Sequence, residues 1–250
     1  MEPESDKKPS RLILFFSGLA ADEKLFALQK RKYENLITPP WLPPNPGESL
    51  QEYTRRWLDE LTDQGHQIDK NTLIGGASFG GLIAQQLARE VGSDRCILFG
   101  SIKSRDEIPF RIRCLQPIHG LAFGWIIRFW QFVIGALLKP FGKALSWRTR
   151  SVLQQFCKSD ASLVKWSIRT FFAHTRQLHP PAPTNSKSPV LHIHQLHGKL
   201  DPVFPIGRLL EKENSTLYEL ETAGHLLTLS HADDVNAIID DLLEPVAQQK

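Results

Sequence analysis

The chain has 250 residues, of which 41% are hydrophobic and 23% charged, enough for one domain that buries its own core without metals or cross-links. Its 30 Lys and Arg against 27 Asp and Glu leave a formal charge of +3, too small a surplus to point to a nucleic-acid partner. Cys96, Cys114 and Cys157 have no repeating spacing, which excludes a disulfide framework and suits a reducing compartment.

The opening MEPESDKKPS is charged and lacks an apolar core, so no secretory leader is expected and a cytoplasmic location is the default. Arg11 to Phe16 is a short apolar run ending in Ser17-Gly18, the pattern of a buried strand entering a tight loop. Five prolines between Thr38 and Gly47 make that stretch a loop. Ser49 and Glu52 have capping-box spacing, predicting a helix that carries Tyr53, Trp57, Leu58 and Leu61. Thr72-Leu73-Ile74 predicts a strand, followed by a glycine-rich turn and a helix from about Phe79 to Glu90. Arg95 to Phe99 predicts another strand.

From Ile102 to Ser188 the strand–helix rhythm stops. The stretch is expected to be a helical insertion over the sheet's carboxyl edge, with Trp125, Trp130, Trp147 and Trp166 among its aromatics. Strands are expected again at Val190 to His194 and at Ser215 to Leu220. Val235, Ile238, Ile239 and Leu242, at i, i+3, i+4 and i+7, give the last helix one apolar face. Alternating strands and helices predict an α/β fold with a mostly parallel central sheet and helices on both faces. The expected organisation is one structural domain: a first core part over 1–102, a helical cap over 103–187 and a second core part over 188–250.

Gly75-Gly76-Ala77-Ser78-Phe79-Gly80-Gly81 places G-x-S-x-G between a strand and a helix. A serine at such a bend must adopt a strained backbone, and side chains at Gly76 or Gly80 would collide with the returning chain. The helix N-terminus behind it favours a developing oxyanion. No Gly-Lys-Ser/Thr follows, so the turn is not a P-loop. Ser78 is therefore the candidate nucleophile. A serine nucleophile needs a base, and the base needs an orienting carboxylate. His197-Gly198-Lys199-Leu200-Asp201 follows one late strand and Gly224-His225 follows the next. That order makes Asp201 the candidate acid and His225 the candidate base.

With these three segments in place, the chain resembles the α/β-hydrolase superfamily over nearly its whole length except the insertion. The resemblance implies the α/β-hydrolase fold. Ser17-Gly18-Leu19-Ala20-Ala21-Asp22 resembles the loop that begins with His-Gly in many members, with Ser17 in the histidine's place. By that resemblance the oxyanion donors are the backbone N–H groups of Leu19 and Phe79. Asp106 is the alternative acid, because some members carry theirs after the preceding strand. Glu221 is expected at a strand end, His231 at a helix start, and His197 in a structural hydrogen bond.

His192, His194 and His197 spell H-x-H-x-x-H, similar to a metallo-β-lactamase-type motif, but Leu196 stands where that motif carries Asp. His192 and His194 share one face of a strand, and no four convergent ligands are evident, so no metal and no organic cofactor are expected. Pro117 to Leu138, which includes Leu121 and Phe123, is long and apolar enough to raise the question of a bilayer crossing. Arg128 near its middle opposes that, at about 3 kcal/mol. More decisively, a crossing would separate Ser78 from Asp201 and His225. Helices apolar on most faces, buried against sheet, substrate or partner, are expected instead. The insertion holds 14 Lys and Arg, from Lys103 to Lys187 with Arg148 and Arg176 among them, against Asp106, Glu107 and Asp160. It is either a solvated cap surface or a greasy cationic lid that receives acyl chains with an anionic head or rests on anionic lipid. The expected activity is cleavage of a carboxylic ester or thioester in a small, hydrophobic acyl substrate through an acyl-enzyme on Ser78. Other triad chemistry (a C–C hydrolase, lactonase or acyltransferase) and a non-catalytic ligand-binding role are the alternatives.

Overall fold

A computed structural model describes residues 11–117, 124–145, 147–177, 190–209 and 213–244. The opening ten residues, Leu121, Phe123, Lys187 and the expected boundary at Ser188 lie outside the described residues, as do the side chains of Trp147, Arg148 and Arg176.

Six strands form one sheet: β1 (Ile13–Phe16), β2 (Leu36–Ile37), β3 (Leu73–Ala77), β4 (Arg95–Phe99), β5 (His192–Gly198) and β6 (Ser215–Leu220). Their order is β2-β1-β3-β4-β5-β6 and every pairing is parallel. Parallel strands covered on both faces are apolar almost continuously, and β1 and β3 are buried at every position.

Successive side chains alternate between the two faces. Leu14, Phe16, Ile74 and Leu98 pack beneath α2 (Leu50–Asp63) and α3 (Gly80–Glu90). Ile13, Phe15, Leu73 and Ile97 pack with Leu25 and Phe26, just before α1 (Ala27–Lys32), and with Val235, Ile239 and Leu242. The last three lie on α9 (Ala232–Leu243), which follows the one-turn α8 (Leu227–Ser230). The expected α/β architecture is the one observed.

From β1 the chain steps outward to β2, then returns to β3 on β1's other side. The carboxyl ends of β1 and β3 therefore lead in opposite directions and leave a crevice, the usual ligand position in an open parallel sheet. Ser17 to Ala20 leave β1 there, and Ser78 leaves β3.

The helix expected at Ser49 starts there: Ser49 N donates to Glu52 Oε2 at 2.8 Å, and Glu52 N donates to Ser49 Oγ at 3.2 Å. β5 differs from expectation. It begins at His192, not Val190, and continues past His194 to Gly198. An apolar-run rule stops at Gln195 and His197, but both are buried and find partners. Gln195 Nε2 donates to Ser101 O at 3.2 Å, and His197 Nε2 donates to Phe204 O at 2.7 Å.

Between β4 and β5 lie α4 (Phe110–Arg113), α5 (Gly124–Phe141), α6 (Trp147–Lys158) and α7 (Ala161–Gln177). The first residues of the expected cap belong to the core instead. Lys103 and Glu107 are buried, with Lys103 Nζ 2.6 Å from Glu107 Oε1 and 2.5 Å from Gln195 Oε1. Leu163 and Trp166 of α7 join the main core. On α5, Ile127 and Gln131 face inward, while Trp125, Phe129 and Phe132 are not covered by the rest of the chain. No helix among the described residues is long and apolar enough to cross a membrane.

Candidate active site

Ser78 ends β3 with φ of 50°, a left-handed backbone that costs a residue with a Cβ about 1–3 kcal/mol. Three bonds hold it there. Its N–H donates to Phe99 O at 3.0 Å, and its carbonyl accepts from Ser101 Oγ at 2.6 Å and from Gly81 N at 3.0 Å. The flanking glycines are required by close approach. A Cβ on Gly76 would lie 2.3 Å from Gly80 O, and one on Gly80 would lie 2.2 Å from Ser17 O.

Asp201 follows β5 and His225 follows β6, and the structure brings them together: His225 Nδ1 donates to Asp201 Oδ2 at 2.8 Å. The carboxylate is fully occupied. Oδ1 accepts from Val203 N at 2.7 Å and Phe204 N at 3.1 Å, and His197 Nε2 lies 3.1 Å from Oδ2. Burial alone would raise this carboxyl's pKa, but bonds from His197 and His225 and from the backbone outweigh it and hold it well below the ordinary carboxylate value. With its Nδ1 committed to Asp201, His225 has Nε2 left free to face a reacting group.

Ser78 stands one strand away, with β4 between. Its N–H is bonded to Phe99, and the next residue, Gly100, faces the acid–base pair: a Cβ there would lie 3.3 Å from His225 Nδ1 and 3.5 Å from Asp201 Oδ2. Among the described residues no hydrogen bond links Ser78 Oγ to His225.

The loop after β1 runs alongside the serine, where a Cβ on Gly18 would touch Ser78 Cβ at 3.4 Å. Ser17 is buried and its Oγ donates to Asp22 O at 3.0 Å. Ala21 N donates to Gly18 O at 3.0 Å, and Ala20 has φ of 58°. Among the described residues neither Leu19 N nor Phe79 N donates to a protein acceptor. Aromatic rings of the core pack close to these residues. Phe79 lies 5.9 Å from Trp41 and 5.8 Å from Trp166, and Phe204 lies 6.0 Å from His225 and stacks on Phe171.

The other candidates fall elsewhere. Asp106 is exposed, and its carbonyl accepts from Arg113. Glu221 pairs with Lys199 at 2.5 Å, and His231 Nε2 meets Thr222 Oγ1 at 2.9 Å. His192 and His194 pair across to Thr216 and Tyr218, while His197 points to the other face of β5. Burial and neighbouring His192 lower His194 to about 4. Among the described residues no three His, Cys, Asp or Glu side chains are grouped to hold a metal ion.

Two features escaped the sequence. Gly100 at φ of 55° lets β4 end against the acid–base pair; a glycine directly after a strand was the available signal. The Lys103–Glu107–Gln195 network beneath the elbow had no local signal, because Gln195 is 92 residues from Lys103.

A family model described as the alpha/beta hydrolase family matches residues 13–238, and the chain belongs to that family. No curated protein matches it. Among solved structures, a thermophilic esterase from Thermogutta terrifontis superposes with a TM-score of 0.63 at 13% identity, covering 93% of this chain and 89% of that one. An epoxide hydrolase from Bacillus megaterium gives 0.63 at 14%, covering 93% of each. The N-acyl homoserine lactonase AidH gives 0.66 at 14%, covering 96% of this chain and 91% of that one. At such identities the likeness is one of fold, and bond choice rests on the site.

Proposed function

We propose that the protein is a serine hydrolase that cleaves carboxylic esters or thioesters through an acyl-enzyme on Ser78. The observation that carries this reading is the part-buried Asp201–His225 bond of 2.8 Å after β5 and β6, on the same carboxyl edge of the sheet as Ser78, which follows β3 at φ of 50°. His225 Nε2 takes the hydroxyl proton as Ser78 Oγ attacks the carbonyl carbon. The Leu19 and Phe79 N–H groups receive the oxyanion. His225 then protonates the leaving group, and water, deprotonated by the same nitrogen, releases the acid and restores Ser78.

Serine suits acyl transfer better than epoxide opening. Attack of Ser78 on an epoxide would leave an ether, with no carbonyl at which water could release it. A lactone is an internal ester and falls within the proposed chemistry. Phe79, next to Ser78 in sequence, and Phe204, 6.0 Å from His225, favour a hydrophobic acyl group.

A fluorophosphonate probe tests the reading directly. The wild type should be labelled, Ser78→Ala should not, and hydrolysis of p-nitrophenyl esters should fall by about 10⁴- to 10⁶-fold in that variant. An unlabelled wild type, or labelling that survives the substitution, would overturn it.

A further inference from the structure

A helix face turned to water is ordinarily polar, but the outward side of α5 is not. Trp125, Phe129 and Phe132 are 69%, 56% and 75% exposed. At i, i+4 and i+7 they form one stripe opposite Ile127 and Gln131, which hold the helix to the protein. Arg128 and Lys139 lie along one margin of that stripe by helical position.

Beside it, between α5 and α6, a cleft of about 310 Å³ has Gly135, Leu138 and Cys157 along its walls and three cations, Lys139, Arg150 and Lys158, around it. From 109 to 177 the sequence has a single acidic residue, Asp160. Its carboxylate caps α7's first turn, accepting from Ser162 N at 2.6 Å and Leu163 N at 3.2 Å, and among the cap's cations it offsets only Arg128, in part. The salt bridges found among the described residues all lie outside α5 and α6.

We propose that this surface docks the protein on a bilayer that contains anionic phospholipid. The aromatic stripe enters the boundary between headgroups and acyl chains with α5 lying in the membrane plane, and the cleft cations meet lipid phosphates. Charge decides the occupant. A second copy apposed through this face would set two cationic clefts against each other, whereas an anionic lipid surface complements both the stripe and the charge. The inference does not rest on the chemistry at Ser78.

Sedimentation with vesicles tests it, using phosphatidylcholine alone and phosphatidylcholine mixed with phosphatidylglycerol. The protein should pellet with the mixed vesicles at low salt, far less with phosphatidylcholine, and be released as salt rises. Replacing Trp125, Phe129 and Phe132 by Ser should weaken binding at least about tenfold. Replacing Lys139, Arg150 and Lys158 by Glu should weaken it by roughly a hundredfold or more, at about fivefold for each charge removed. Both variants alter exposed side chains and should keep the wild-type circular dichroism and fluorophosphonate labelling, so loss of the active-site reading would register separately. Three results would overturn the proposal: no pelleting of the wild type at low salt, equal pelleting of either variant, or a dimer in light scattering that the Ser variant turns into a monomer.

Discussion

The crevice at the sheet's carboxyl edge is bounded by two regions built on different principles. On the sheet side, backbone lies against backbone: a Cβ on Gly76, Gly80 or Gly198 would fall within 2.3 Å of a carbonyl oxygen. On the cap side, contact is made by side chains. Ala20, Ile127, Ala161 and Val164 form a small apolar cluster, and Gln155 Oε1 accepts from Asp22 N at 3.0 Å. Contacts between backbones tolerate no change, while those between side chains can be exchanged for others of similar volume. The fold thus fixes the candidate site through the first region and leaves the second open to vary.

The sharpest way to break this contrast is at the acid. Asp201→Asn keeps the shape but favours the wrong tautomer of His225, and kcat should fall by about 10⁴-fold; stopped-flow or steady-state hydrolysis would measure it. The same variant has a pH signature. Because the folded pKa of Asp201 lies below its ordinary value of 3.8, its stabilising effect is complete above that value and is lost as pH falls through the folded one. The stability gap between wild type and Asp201→Asn should therefore narrow steadily in urea unfolding below about pH 4.

Gly80→Ala probes the backbone contact itself and should cost about 3 kcal/mol in chemical denaturation, with activity falling as Ser17 is pushed away. A cost below about 1 kcal/mol would mean that the sheet side yields as readily as the cap. The smallest effect belongs to Gln155→Ala. Losing the Gln155 bond to Asp22 N in the loop after β1 should lower kcat/KM by roughly fivefold, about 1 kcal/mol, with Tm falling by no more than a few degrees.

The same division explains what could be read from the sequence. Arg95–Phe99 and Ser215–Leu220 are bounded as expected: the first is a buried apolar run, the second a half-buried edge strand rich in strand-forming residues. The Ser49 capping box and the inward stripe of α9 are also local patterns. The candidate residues Ser78, Asp201 and His225 were legible from turn chemistry after strands, and the acid–base contact follows from strand order. What was hidden depends on distant partners. β2 is a two-residue strand that exists through its pairing with β1. Gln195 and His197 continue β5 because Ser101, Glu107 and Phe204 come from elsewhere in the chain to satisfy them. Apolarity around α5 signalled burial, but no periodicity says whether protein or something else does the covering.

The twisted main chain at Ser78 has a thermodynamic corollary. Under the proposed mechanism, the work of aiming the hydroxyl is done once, when the polypeptide folds, and not anew in each turnover. The position proposed to carry the nucleophile is therefore also one where the native state is locally frustrated. Selection for maximal thermal resistance and selection for rate would favour different residues at that single site.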